Sequence, residues 1–88
     1  MSEGLVERLS SDDSEVRNEA IVEASESRDE AVVVALGGLV ISPDVGTPAR
    51  TAAAQTLARM PDAVGVDQLK ELLRHENPEF RVLAASGL

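Results

Sequence analysis

The chain has 88 residues, a formal net charge of −8, no cysteine and a single aromatic residue, Phe80. This length corresponds to one small domain, and without cysteine its core has neither disulfide bonds nor thiolate zinc sites to stabilise it. An acidic surface repels phosphate backbones, so we expect no binding to nucleic acid.

Apolar residues at helical spacing, with turn residues between them, predict helices along the whole chain. In chain order the predicted helices span residues 3–10, 14–26, 30–41, 48–59, 63–74 and 78–88. Thr47 and Asn77 are N-cap residues that each precede a proline suited to a first helical turn, and the segment 12–14 offers an equivalent cap. The sequence therefore predicts an all-α fold of about three antiparallel helix pairs.

The third predicted helix contains the longest apolar run of the chain, residues 31–41. Its valines also suit a buried β-strand, but all other segments have helical spacing and would leave that strand unpaired. A helix that is apolar all round is covered on both sides, and Gly37 and Gly38 would let a neighbouring backbone approach closely. A bilayer-spanning helix needs about 20 residues, and no secretory signal is visible, so we expect a soluble, cytoplasmic protein without membrane contact.

Three segments align on an arginine, which we call the repeat arginine: Arg17, Arg50 and Arg81. An apolar residue precedes each of them, an alanine follows three residues later, and a further apolar residue follows seven residues later. These positions are Val16, Ala49 and Phe80, then Ala20, Ala53 and Ala84, then Ala24, Leu57 and Leu88. Because all three positions lie on one helical face, the second helix of each pair should turn a stripe of small residues inward.

This register resembles that of the HEAT family, in particular the HEAT-like repeats named after phycobilisome lyases. The resemblance implies a short α-solenoid of about three stacked helix pairs in one domain, with repeats near 1–28, 29–60 and 61–88. It implies a non-catalytic protein-interaction or scaffold module. The alternative is an accessory subunit or domain of an enzyme that handles tetrapyrroles or other chromophores. Some HEAT-like proteins bind DNA, which the charge of this chain disfavours.

In this family an acidic residue shortly before the repeat arginine commonly forms a ladder with it between repeats. The residues that match this pattern are Asp12 with Arg17, Asp44 with Arg50, and Glu76 with Arg81. The spacing of Asp44 departs by one residue from that of the other two. The alternative hypothesis is that the three arginines form a row that binds a ligand. That hypothesis explains the periodicity only if the ligand is present, whereas the ladder explains it without any ligand.

The sequence contains no group of residues at the spacing that a catalytic site or a metal site requires. The single histidine, His75, falls where a helix should end, near carbonyl groups that favour a cation. Glu19, Glu23 and Glu26 share one helical face as a solvated acidic surface, and the acidic segment 12–15 has no EF-hand glycine. We therefore expect no enzyme activity, no cofactor and no metal.

The charge is unevenly distributed along the repeats. The first 30 residues hold ten acids and three bases, which is typical of a polar capping repeat. Seven of the eight bases are arginines, and this scarcity of lysine suits either a salt-loving organism or an ordinary acidic protein from a GC-rich genome.

Two surfaces are candidates for a protein partner. The last predicted helix is apolar on nearly all sides, so it should be covered by further repeats of a longer chain, by a second copy in a homodimer, or by another protein. The second helices of the pairs also present an outward surface, as solenoids do. The candidate partner residues are Asn18, Glu19, Val22, Thr51, Gln55, Val82, Leu83 and Leu88.

Overall fold

The computed structural model describes residues 2–42, 44–74 and 78–87. Its helices, in chain order, are α1 (Ser2–Leu9), α2 (Ser14–Ala24), α3 (Glu30–Val40), α4 (Thr47–Arg59), a 3₁₀ turn (Pro61–Ala63), α5 (Val66–Leu73) and α6 (Pro78–Gly87). No residue in these described ranges belongs to a β-strand. The prediction of helix over the apolar run 31–41 is thereby confirmed.

The helices stack as three antiparallel hairpins in two layers. Within each hairpin α1 packs on α2, α3 on α4, and α5 on α6. The first-layer helices α1, α3 and α5 contact one another in order, and the second-layer helices α2, α4 and α6 do the same. This arrangement is the short α-solenoid that the sequence predicts, and the exact repeat boundaries stay a prediction.

Side chains and backbone geometry set the helix starts. Asp13 caps α2 by accepting a hydrogen bond of 2.9 Å from the backbone N–H of Glu15, and Asp29 caps α3 in the same way. At α4 the N-cap is Gly46 rather than the predicted Thr47, which is the first helical residue. The other predicted cap, Asn77, lies outside the described residues.

The chain between α4 and α5 differs from the predicted continuous helix 63–74. Asp62 and Ala63 have positive φ values of 59° and 57°, and the regular helix begins only at Val66. The positive φ of these two residues is incompatible with a right-handed helix, so regular helix does not run through this segment, which forms a short turn instead. The turn places Gly65 directly against α4.

Small side chains bring the layers together. Ala20, Ala53 and Ala84, the alanines three residues after the repeat arginines, are completely buried. Alanine keeps helix axes close and favours the helical conformation, so this stripe supports both packing and local structure. Larger buried side chains fill the remaining space, among them Leu9, Leu36, Leu57 and Leu69.

The central helix α3 is covered less completely than its sequence suggests. It packs mainly on α1, α4 and α5 and also contacts α6, and Val32, Leu36 and Val40 are completely buried. Val34, however, is 62% exposed, because its side of α3 faces away from the second layer and from both flanking helices. The expectation of an all-round buried helix was therefore wrong along this one edge.

The glycine that permits a close backbone approach is not one of the pair in α3. A Cβ atom at Gly37 would meet the flexible side chain of Gln68, and one at Gly38 would meet nothing within 4 Å. At Gly65 a Cβ atom would lie 2.1 Å from the carbonyl oxygen of Leu57. Sequence reasoning missed this contact, since only the turn after α4 creates it.

Candidate functional site

Burial at equivalent positions shows which side of each second-layer helix faces its neighbours. Each repeat arginine is the fourth residue of its helix. Arg17 and Arg50 are partly buried, whereas Arg81 is exposed. The residues four positions later behave alike, because Ile21 and Ala54 are buried and Ala85 is exposed. This side faces the following helix, and the described part of the chain has none after α6.

The opposite side faces the preceding helix. Two residues after the repeat arginine stand Glu19, which is exposed, Ala52, which is partly buried, and Leu83, which is buried. Leu83 therefore belongs to the core, because α4 and α5 cover this side of α6. The prediction that Leu83 contacts a partner was wrong. On α2 no second-layer helix of the described ranges covers the same side, which presents glutamates to solvent.

One of these glutamates is held by the first layer. Arg8 of α1 forms an ion pair of 2.7 Å with Glu23, from Nη1 to Oε2. This hydrogen bond lowers the pKa of Glu23 and raises the pKa of Arg8. The contact therefore joins α1 to α2 at the acidic end of the stack.

The repeat arginine of α4 joins two repeats. Nη2 of Arg50 lies 2.7 Å from Oε1 of Glu79 in the first turn of α6, and it also donates to the hydroxyl of Thr47 over 3.2 Å. The described residues contain no ion pair between Arg50 and Asp44, the partner suggested by the family pattern. Glu79 reaches the guanidinium because α6 packs directly alongside α4.

The repeat arginine of α2 has a different environment. Nη1 of Arg17 donates to the backbone carbonyl of Ser11 over 3.1 Å, and its Nε, like that of Arg50, is buried without a hydrogen-bond partner. Asp12, Arg17 and Asp44 all line one pocket of about 470 Å³ beside the C-terminal end of α3. Within the described ranges these three residues thus share a pocket without forming ion pairs. Glu76, expected beside Arg81, lies outside them, and the ladder stays a prediction.

A second pocket, of about 380 Å³, lies between α2 and α4. Its α2 wall carries hydrogen-bond donors, namely Ser14, Arg17 and Asn18. Its α4 wall is formed by small residues, namely Gly46, Pro48, Ala49 and Ala52. We call this space the α2–α4 pocket.

Most of the predicted partner residues form one exposed stripe across the second layer. They stand one or five positions after a repeat arginine, so those on the same helix are one turn apart. This exposed stripe consists of Asn18, Val22, Thr51, Gln55 and Val82. All are exposed except Thr51, which is partly buried. Glu19 is also exposed, but it lies on the side of α2 that faces away from α4. Leu88 lies outside the described residues.

Two kinds of feature are absent from the described residues. No three His, Cys, Asp or Glu side chains among them come together as a metal ion would require. None of the helices in those ranges has the length and apolar character needed to cross a membrane.

Comparison with known families gives a match over nearly the whole chain. The family model described as HEAT repeats matches residues 2–88. Neither the curated proteins nor the solved structures gave a significant match. HEAT repeats are generally protein-interaction and scaffold modules and are typically non-catalytic. The structure and the family match agree, and the chain belongs to the HEAT repeat family.

Proposed function

We propose that this protein is a non-catalytic interaction or scaffold module of the cytoplasm that binds a protein partner through the exposed stripe. The observation that carries the proposal is the exposure of two valines on the stripe, Val22 at 72% and Val82 at 67%. Large apolar side chains held in water by a rigid helical layer gain free energy when a partner covers them.

The composition of the stripe supports the same proposal. Its five residues are valine, asparagine, threonine and glutamine, so the stripe carries no charge, although the chain carries −8. The central part of a protein interface is depleted in charged residues, and amide and hydroxyl groups there form hydrogen bonds across it. The stripe is therefore a neutral contact surface within an acidic protein.

The stripe can be tested by site-specific photo-crosslinking in the native cytoplasm. A photoreactive amino acid at position 22, 55 or 82 should give the same crosslinked partner, identified by mass spectrometry. Position 34 is the matched control, because Val34 is 62% exposed but lies on α3 in the other layer. Equal crosslinking at position 34, or no shared product at the three stripe positions, would count against the proposal.

Substitutions give a second readout of the same surface. V22E and V82E should each weaken capture of the crosslinked partner, because a carboxylate is costly to bury at an apolar contact. V34E places the same charge at a similarly exposed valine and should leave capture unchanged. If V34E weakens capture as much as the stripe variants, then general acidity and not the stripe controls binding.

The finer family assignment, to phycobilisome-lyase-type repeats, is supported by the shared arginine and alanine register of the three segments. Purification of the protein from its native host distinguishes between the two functions that this assignment allows. A protein partner without pigment supports the scaffold function. A tetrapyrrole that co-purifies with the protein, detected by its visible absorbance, would overturn it in favour of the accessory role in chromophore handling.

A further inference from the structure

We propose that the α2–α4 pocket binds the carboxylate of a partner's glutamate side chain, with Arg17 as the group that pairs with it. This inference rests on the proposed protein-interaction function and adds the chemistry by which the partner is recognised. It comes from comparing two successive interfaces in the second layer, α2 with α4 and α4 with α6.

The two interfaces use equivalent positions with different residues. Arg50 of α4 pairs with Glu79, which stands two residues before the repeat arginine of α6. The residue two places before the repeat arginine of α4 is Pro48. Arg17 and Pro48 both line the α2–α4 pocket, so Arg17 faces a proline at the position from which Arg50 receives a carboxylate.

Arg17 retains hydrogen-bonding capacity that its surroundings do not use. Its guanidinium makes one described hydrogen bond, from Nη1 to the backbone carbonyl of Ser11, and no ion pair within the described residues. The buried Nε has no hydrogen-bond partner in either Arg17 or Arg50, so the two arginines differ at Nη2, which meets Glu79 in Arg50. The planar guanidinium group matches a carboxylate in shape and charge, so a carboxylate at the position of Glu79 would meet Nη2 of Arg17 and balance its positive charge.

The walls of the pocket suit this ligand. Beside Arg17, the side chains of Ser14 and Asn18 add uncharged donors, and no acidic residue lines this pocket in the described part of the chain. Ala49 and Ala52 on the opposite wall offer a small apolar surface for the methylene groups of a glutamate. Asp12 and Asp44 line a different pocket that Arg17 also borders.

The position of the pocket and the charge of the protein point to a partner's side chain. Asn18 belongs both to the pocket wall and to the exposed stripe, so a protein segment lying on the stripe comes next to the pocket. A phosphate group carries more negative charge than a carboxylate and is repelled more strongly by a chain of net charge −8. One glutamate in an otherwise uncharged segment is the ligand that these features favour.

Nuclear magnetic resonance titration tests this site directly. The probe is an acetylated and amidated Ala-Glu-Ala peptide, and the same peptide with Gln is its neutral control. The Glu peptide should cause a saturable shift of the Arg17 Nε–Hε signal and of the Asn18 amide, while the corresponding signal of Arg50 stays unchanged. No saturable shift, or an equal shift with the Gln peptide, would overturn the proposal.

A third peptide distinguishes a glutamate side chain from a chain terminus as the source of the carboxylate. Acetylated Ala-Ala-Ala with an unblocked C-terminus carries its only charge on the terminal carboxylate. We expect a weaker shift of the Arg17 signal with this peptide than with the Glu peptide. A stronger shift would assign the pocket to a chain terminus and would overturn its assignment to a glutamate side chain.

A substitution that keeps Arg17 gives an independent test. P48E places a glutamate at the position equivalent to Glu79, whereas P48Q removes the same proline without adding charge. P48E should melt at a higher temperature than P48Q and should lose the response to the Glu peptide, while P48Q keeps it. Equal melting temperatures, or a P48E protein that still binds the peptide, would contradict the proposal. Because the stripe is tested by crosslinking, failure here with crosslinking intact would remove this inference alone.

Discussion

Arg50 of α4 and Glu79 of α6 form an ion pair of 2.7 Å that joins consecutive second-layer helices. The two partners are unequally buried, since the Arg50 side chain is 12% exposed and that of Glu79 is 52% exposed. Water therefore screens one side of the pair, and we expect it to contribute about 1 kcal/mol or less to stability. Its structural importance lies in joining helices from two successive hairpins.

The first prediction concerns which carboxylate pairs with Arg50. E79Q should lower the free energy of unfolding by up to about 1 kcal/mol, because the charge that faces Arg50 is lost. D44N should change it little, since Asp44 does not pair with Arg50 in the structure. Urea unfolding of both variants, combined with R50Q in double-mutant cycles, measures the two couplings. A larger coupling for Asp44 than for Glu79 would restore the family ladder at this position.

The second prediction is a pH dependence at the acidic end of the stack. The hydrogen bond from Arg8 lowers the pKa of Glu23 below its ordinary value of 4.5, so the unfolded chain takes up this proton first as pH falls. The pair therefore contributes stability above the ordinary pKa of glutamate, and this contribution is lost as the pH falls through the pKa of Glu23 in the folded protein.

Melting temperature measured as a function of pH checks this expectation. E23Q should flatten the decline of the melting temperature on acidification. E26Q removes an equal charge at an exposed position in the turn that follows the same helix, and it should leave the decline close to that of the unchanged protein. High salt should reduce the difference between the two variants, since exposed charges are screened. An equal effect of both variants would show that net charge and not the Arg8 contact sets the decline.

The third prediction contrasts two glycines. G65A should be strongly destabilising, because the new Cβ would lie 2.1 Å from the backbone oxygen of Leu57 and the turn would have to shift. G38A should raise the free energy of unfolding by up to about 1 kcal/mol, since Gly38 lies inside α3 and its Cβ would meet nothing within 4 Å. Thermal melts followed by circular dichroism compare the two. A stable G65A protein would mean that the turn after α4 is formed differently.

The fourth prediction concerns the left-handed turn before α5. Ala63 has a φ of 57°, a conformation that costs an L-residue with a Cβ roughly 1–2 kcal/mol and glycine almost nothing. A63G should therefore stabilise the protein by roughly 0.5–1 kcal/mol, after the greater entropy of glycine in the unfolded chain is subtracted. A85G, at an exposed site in α6, is the control and should destabilise by about 1 kcal/mol. Chemical denaturation distinguishes these opposite signs, and a destabilised A63G protein would contradict the positive φ.

The helical register could be predicted because it follows from local chemistry. The alanines after the repeat arginines recur at the same position in each second helix, and Ala20, Ala53 and Ala84 are all completely buried. Apolar residues at helical spacing have only one way to face a common core. The interruption before α5 could not be placed in the same way, because Pro61 and Gly65 on either side of Ala63 indicate a break but the residue at which the helix resumes depends on contact with α4.

The sequence by itself determined which segments are helices, where they pair, and that the chain is a HEAT-type stack, because periodicity and turn residues act locally along the chain. Only the tertiary structure decided which carboxylate each arginine meets. That choice depends on side chains from helices about 30 residues apart in sequence, and packing brings Glu79 to Arg50 but Pro48 to the pocket beside Arg17. It also decided that Leu83 lies in the core while Val82 lies on the surface, since the neighbours of α6 cover one of its sides and not the other.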